Sequence, residues 1–254
     1  MSTTMTTGFN ALILAGSRGG VDPVATYAGV AHKALIVLDG RTLLARVAQA
    51  LRDAGATHIA VSVSDDAVGA EAAALGLTVL NAATGPSLSV RAGIVALGTP
   101  LLVTTADHAL LQPDWIRRFR ADTPATADVA ALLARRDVIE AAAPGTARTY
   151  LRFADGAWSG CNLFKFATPR SVAALDLWAQ VEADRKRPWR IVRRLGIGTL
   201  LRYLSGRLTL VEAIAHLGRL AGLEAAAVAS PFGLAAVDVD KPADLDLVRA
   251  LVTK

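Results

Sequence analysis

The stretch Leu12-Ile13-Leu14-Ala15-Gly16-Ser17-Arg18-Gly19-Gly20, "LILAGSRGG", joins an apolar run to a glycine-rich loop near the start of a 254-residue chain. Residues 9–15, "FNALILA", are a short apolar segment closed by glycine, the pattern of a strand buried on both faces of a parallel sheet. A strand that feeds such a loop suits phosphate, because successive backbone amides form an anion-binding nest. Two common phosphate loops do not fit. The dinucleotide fingerprint needs glycine at 18, where Arg18 stands, and the P-loop needs Gly-Lys at 21–22, where Val21 and Asp22 stand. What remains is strand–Leu-Ala-Gly-x-Arg, a flexible loop, and then Lys33 in "HKAL". The Gly16–Gly20 amides can wrap a triphosphate while Arg18 and Lys33 neutralise its oxygens.

From this loop outward, strand-like and helix-like segments alternate. "RTLLARVAQALRDAG" (41–55) has helical spacing and a terminal glycine, and "HIAVSVS" (58–64) reads as a strand. An alanine-rich helix (66–75), the strand "LTVLN" (77–81), the helix "LSVRAGIVALG" (88–98) and the strand "PLLVTTA" (100–106) follow. Such alternation predicts an α/β fold with a mainly parallel sheet and helices on both faces. Beyond residue 120 the strands are "DVAALLARR" (128–136), "RTYLRFA" (148–154) and "WSGCNLFKF" (158–166), the last two joined by an Asp155-Gly156 hairpin turn. Residues 169–221 are helical in period. The closing "LAAVDVDKPADLDLVRALV" predicts a strand, an acidic loop and a helix entered after Pro242. The economical organisation is one domain over 1–254, with 169–221 as a helical insertion or cap.

Composition narrows the class. The chain is 53% hydrophobic and 19% charged, which fits a packed globular domain. It has no apolar run long enough for a membrane span and no cationic leader before an apolar core, so a cytoplasmic protein is expected. The single cysteine, Cys161, excludes an internal disulfide and a cysteine-based zinc site. Net charge is +5, and residues 1–150 hold 12 basic and 12 acidic side chains, so the whole surplus falls after residue 150. Eight cations (Arg185, Lys186, Arg187, Arg190, Arg193, Arg194, Arg202, Arg207) lie between Asp184 and Glu212 with no acid among them. Such a field attracts polyanions.

Three further elements carry candidate chemistry. "GPSLSVRAG" (85–93) puts Ser87, Ser89 and Arg91 at a helix start, where anions gather and small polar groups reach a base or ribose. "LLVTTADHALL" (101–111) ends a strand at Asp107, where ligands of open α/β sheets collect, and a carboxylate there suits Mg2+. His108 reads as a structural hydrogen-bonding residue. "AVDVDKPADL" (236–245) places Asp238 and Asp240 two apart, one of them a second Mg2+ ligand opposite Asp107, or Asp240 a helix N-cap.

In this order, "LILAGSRGG…HKAL", "GPSLSVRAG", "TTADHALL", "GCNLF" and "VDVDKPADL" resemble the MobA-like NTP transferases, GT-A-fold nucleotidyltransferases that include cytidylyltransferases. The resemblance covers residues 9–166 and 223–251. It implies a single Rossmann-like GT-A-type domain and Mg2+-dependent transfer of a nucleotidyl group from an NTP to a small phosphorylated acceptor, with release of pyrophosphate. It implies that Leu14, Ala15, Gly16, Ser17, Arg18, Gly19 and Lys33 hold the nucleotide, with Ser87, Ser89 and Arg91 beside base and ribose. Arg18, Lys33 and Asp107 are then catalytic, Asp107 and Asp240 the metal pair, and Gly160 and Asn162 lie on the acceptor-side strand with Arg152 nearby. The family opening is Ala-Gly-Gly-x-Gly-x-Arg, and this loop departs from it. "SLSVRAG" is similar to the cytidylyltransferase branch, which favours CTP. Arg148, Arg152 and the 185–194 cluster suit an acceptor that carries a phosphate and a carboxylate, such as a phosphoglycerate-like compound or a cyclitol or sugar phosphate.

Two other classes compete. A GT-A glycosyltransferase calls for Asp-x-Asp after the 100–106 strand, where the chain has Asp107-His108-Ala109. A non-catalytic peripheral membrane or nucleotide-binding protein is suggested by the basic, apolar-interleaved segment from Arg185 to Leu208, which suits anionic lipid. The favoured reading of that segment is a cap packed on the sheet with its arginines toward the site. Nucleic acid is not expected, since no DNA- or RNA-binding motif is present.

Overall fold

The computed structural model describes residues 8–17, 19–184 and 196–252. They fall into two compact units, residues 1–118 with 237–254, and residues 119–236. In the first unit the order is β1 (Phe9–Ala15), α1 (Pro23–Ala28), a short β2–β3 ribbon (Val37–Leu38, Arg41–Thr42), α2 (Leu43–Asp53), β4 (Ala56–Val63), α3 (Asp66–Ala74), β5 (Thr78–Asn81), α4 (Pro86–Leu97) and β6 (Leu101–Thr105). The helix Pro242–Val252 closes the unit. β1 pairs in parallel with β4 and with β6, and β4 pairs in parallel with β5. Consecutive residues of a strand face opposite sides of its sheet. Leu12 and Ile13 are both fully buried, as are Ala60 and Val61, so both faces of this sheet are covered.

Local chemistry sets the helix ends. Thr42 caps α2 by accepting from the Ala45 amide, and Asp65 caps α3 through the Ala67 and Val68 amides. Gly93 of α4 has no side chain for a packing reason: a Cβ there would stand 2.6 Å from Cδ2 of Leu12, so the helix seats closely on β1.

The segment expected as a flexible loop before Lys33 contains α1. Asp22 accepts from the Val24 and Ala25 amides, Pro23 opens the helix, and Gly29 ends it at φ +69°. Short helices bounded by strong caps escape a search for long apolar periods.

The second unit contains β7 (Val129–Arg135), β8 (Leu151–Phe153), β9 (Gly156–Phe166) and β10 (Ala225–Ser230). β10 is parallel to β7, and β9 runs antiparallel to both β7 and β8. The hairpin forms, but Phe153 pairs with Gly156, so its turn residues are Ala154 and Asp155, one place earlier than expected. Outside contacts fix that register: the Ala154 amide donates to the Leu208 carbonyl, and Asp155 accepts from the Leu210 amide. The strand expected in "LAAVDV" is absent. Gly233–Ala236 is a 3-10 turn, and the segment after it takes one backbone bond, from the Val239 amide to the Asp107 carbonyl. The strand lies earlier, at Ala225–Ser230, where four alanines hid it.

Within 169–221, helices span Val172–Asp184, Ile197–Leu204 and Leu210–Leu220. The basic residues from Arg185 to Arg194 lie outside the described residues. Among the described residues, no helix is long and apolar enough to cross a membrane.

Candidate active site

Gly16 follows β1 directly. A Cβ there would stand 3.3 Å from that of Ala82, so the loop passes close to the end of β5. The Ser17 amide donates to Oγ of Ser64 at 2.8 Å, which ties the loop to the residue after β4. Gly19 and Gly20 have φ of +78° and +91°, values that a side-chain-bearing residue reaches only with strain. Leu14 accepts from the Ala106 amide through its carbonyl, and Ala15 is buried, so both brace the loop from behind. Arg18 lies outside the described residues.

Lys33 opens the 3-10 turn Lys33–Leu35, which its neighbour caps: the Ala34 amide donates to Nδ1 of buried His32 at 3.1 Å. The Lys33 ammonium reaches Oδ2 of Asp107 at 2.5 Å and Oδ1 of Asp240 at 3.1 Å. These two carboxylates lie 74 and 207 residues from Lys33 along the chain, yet the three side chains form one charge cluster. Burial pulls the Lys33 pKa down, but Asp107 and then Asp240 outweigh it and hold it above the ordinary lysine value. Lys33 is therefore a fixed cation rather than a proton acceptor.

Asp107 stands two residues past the end of β6 and is buried, and among the described residues its Oδ1 has no hydrogen-bond partner. Asp240 is half exposed. Asp244, in the first turn of the following helix, holds the entry to it, its Oδ2 accepting from the Asp240 and Lys241 amides. With no strand at 237–240, Asp238 and Asp240 do not share a strand face.

A buried carboxylate oxygen without a partner and a second, exposed carboxylate are hard donors suited to a small divalent cation. Among the described residues, no group of three or more His, Cys, Asp or Glu side chains could hold a metal by itself. An ion here would complete its shell with phosphate and water oxygens, as Mg2+ commonly does.

Ser87 and Ser89 lie buried in the first turn of α4, and Arg91 follows on the next. Ser89 Oγ accepts from the Ala83 amide, so it orders the loop that enters the helix. His108 is buried, 3.3 Å from Thr104 Oγ1 through Nδ1, with its ring centroid 6.2 Å from that of Trp115. In the second unit, Asn162 adopts φ +47° where the β7–β9 register shifts, a bulge of the kind that re-aims side chains. A Cβ on Gly160 would meet nothing within 4 Å, and Arg152 is exposed on β8. Burial pushes the Cys161 thiol up to about 12, which removes it as a nucleophile.

Sequence reasoning passed over three positioning residues: His32, Ser64 and Asp244. Asp244 had a signal in Asp240-Lys241-Pro242-Ala243-Asp244, a carboxylate in the first turn after a helix-opening proline.

A parallel α/β unit with a glycine loop after its first strand, and a lysine set between two carboxylates, is an arrangement suited to a phosphate-bearing ligand. The chain belongs to the MobA-like NTP transferase family, whose domain it matches over residues 11–196. It is similar to a hypothetical transferase from Thermus thermophilus at 30% identity, covering 94% of this chain and 99% of that one with a TM-score of 0.79. It shares the fold of a nucleotidyl transferase from Methanothermobacter thermautotrophicus at 18% identity, covering 97% and 98% of the two chains, with a TM-score of 0.54. The 2-C-methyl-D-erythritol 4-phosphate cytidylyltransferase of Thermus thermophilus shares it at 16% identity, covering 97% and 100%, with a TM-score of 0.55. Among curated proteins, none matches the chain at a significant level.

Proposed function

We propose that the protein is a Mg2+-dependent, cytoplasmic nucleotidyltransferase that uses CTP and a small phosphorylated acceptor and releases pyrophosphate. The convergence of Lys33, Asp107 and Asp240 beside the Gly16 loop carries this reading. An ionised phosphate oxygen of the acceptor attacks the α-phosphorus of the NTP. The new bond is oxygen to α-phosphorus, and the bond that breaks joins the α-phosphorus to the oxygen bridging to the β-phosphate. Pyrophosphate leaves with that electron pair. The attacking oxygen carries charge at neutral pH, so the reaction needs no general base, consistent with a lysine held protonated.

The protein's work is positioning and electrostatics. The Gly16–Gly20 amides and Arg18 hold the triphosphate, and Lys33 meets the charge that develops on the α-phosphate. Asp107 and Asp240 would hold Mg2+, which when bound neutralises phosphate oxygens. Ser87, Ser89 and Arg91 flank the base and ribose. Arg152, Gly160 and Asn162 serve the acceptor.

The choice of CTP rests on the "SLSVRAG" element, and solved neighbours of the same fold include a synthetase complexed with CTP. A screen of the four NTPs against phosphorylated acceptors with Mg2+, read by pyrophosphate release, tests the reading. Release with CTP and a phosphate-bearing acceptor is expected. Silence across the panel refutes the activity, and a preference for GTP or UTP refutes the base assignment alone.

A further inference from the structure

The helix Ile197–Leu204 is mounted with its polar edge inward. At 100° per residue, Thr199 and Arg202 share one side, and Ile197, Leu201 and Leu204 lie on the opposite side. The polar side is the one that holds the neighbouring helix Leu210–Leu220. Thr199 Oγ1 lies 3.3 Å from Nε2 of His216, and Arg202 donates to Oε1 of Glu212 at 2.6 Å. The apolar side points away: Ile197 is 72% exposed, Leu201 59% and Leu204 69%, and no residue of the helix is buried. This helix is not the packed cap expected of the segment. Leu210–Leu220 behaves conventionally, with Leu210 buried and Ile214 and Leu217 lining an apolar cavity against β7 and β10.

An apolar stripe turned to solvent marks a docking face. Its surroundings select the occupant. Residues 197–220 contain Arg202, Arg207 and Arg219 and a single acid, Glu212. That acid is consumed internally, bonded to Arg202 and to the Thr209 amide and hydroxyl. The sequence just before the helix adds six more cations between Asp184 and Gly196, with no acid among them. A second copy of this chain would bring like charge against like, whereas an anionic bilayer offers both an apolar interior and opposite charge.

We propose that the helix Ile197–Leu204 docks the protein on an anionic lipid surface, with Ile197, Leu201 and Leu204 inserted at the headgroup boundary. The proposal goes beyond nucleotidyl transfer and does not depend on it.

The test is sedimentation of the full chain with vesicles of phosphatidylcholine alone or mixed with phosphatidylglycerol. The wild type is expected to pellet with the mixed vesicles and to stay in solution with phosphatidylcholine, and added salt should weaken binding. The double variant Leu201→Glu/Leu204→Glu should bind at least roughly tenfold more weakly. A control, Val95→Glu, alters an exposed valine of the first unit and should bind like wild type. Circular dichroism shows whether each variant is folded, and pyrophosphate release without vesicles reads the transferase activity separately. Failure of the wild type to pellet with anionic vesicles overturns the proposal, as does a double variant that binds like wild type. A wild-type dimer that the double variant breaks, with no lipid binding, assigns the stripe to a second copy and also overturns it.

Discussion

The Lys33 cluster of the first unit and the arginine pairs on the surface of the second treat charge in opposite ways. In the first, Lys33 sits between Asp107 and Asp240, partly removed from water, with its carboxylate partners supplied from distant parts of the chain. In the second, cations stand at the surface in simple pairs: Arg135 with Asp137, Arg136 with Glu140, Arg202 with Glu212. A charge with few waters around it interacts strongly and tolerates little error, while exposed pairs contribute little and shift freely. The first arrangement suits a reaction in which charge must be met at a fixed point, and the second suits a surface that meets varied anions.

The sharpest way to break this contrast is at Asp107. Asp107→Asn keeps the shape and removes the charge that faces Lys33. Initial rates of pyrophosphate release should fall roughly 100- to 1,000-fold, the scale for loss of one preorganised electrostatic contact. Circular dichroism should be unchanged, and near-normal turnover would take Asp107 out of the site. The corresponding change in the second unit, Arg136→Gln, should leave the rate within about twofold.

The second unit is vulnerable elsewhere, in its packing. A Cβ on Gly233 would stand 2.2 Å from the Val138 carbonyl oxygen, a backbone atom that cannot swing away. Gly233→Ala should destabilise the protein by about 2–3 kcal/mol, read from the urea midpoint. An unchanged midpoint would mean that the 233–236 turn moves as freely as the surface ion pairs.

These positions also show where the sequence was readable. β1 holds the apolar run Ala11–Ala15 and β4 the shorter run Ile59–Val61, and such runs identify themselves. Asp107 was readable because it follows such a run, and Lys33 because it closes the glycine loop. β10 was not, since alanine suits helix better than strand and only the neighbouring β7 makes it extended. The outward stripe on Ile197–Leu204 was equally hidden. Its helical period was plain, but a period does not say which side meets the protein, and the ties of Thr199 and Arg202 decide it. The bond from Lys33 to Asp240 spans 207 residues, and only the fold could supply it.

A smaller effect is expected at His32, which links backbone geometry to the Lys33 cluster. Burial first of all holds its imidazole below the usual value of about 6.5, so the folded state favours neutral His32. As pH falls below that value, the unfolded chain takes up a proton that the folded one resists, and stability declines. Protonation also removes the Nδ1 acceptor that caps the turn carrying Lys33. His32→Asn, which keeps an acceptor without titrating, should flatten the acid side of the stability profile between about pH 7 and pH 5. A parallel decline in the variant would assign the loss to other groups.

Glu212 provides the mirror image, with the smallest effect. Arg202, then Thr209, hold its carboxyl down to about 2, so the folded state favours the charged form. Its contribution is present above the ordinary carboxylate pKa and disappears as pH falls toward about 2, the opposite sense to His32 only in the charge of the favoured form. Because Glu212 is open to solvent, water and salt screen the interaction, and the pKa shift overstates its weight in stability. Glu212→Gln retains oxygen and amide groups for the helix cap and loses the charge facing Arg202. Its thermal midpoint at neutral pH should lie close to that of the wild type, and the two should converge in acid. The same variant offers a finer reading of the lipid-facing helix, since it adds one net positive charge there without touching the apolar stripe. Binding to phosphatidylglycerol vesicles should strengthen slightly at low salt and match wild type at high salt, while a loss of binding would show that the Arg202–Glu212 tie, rather than charge, sets the helix orientation.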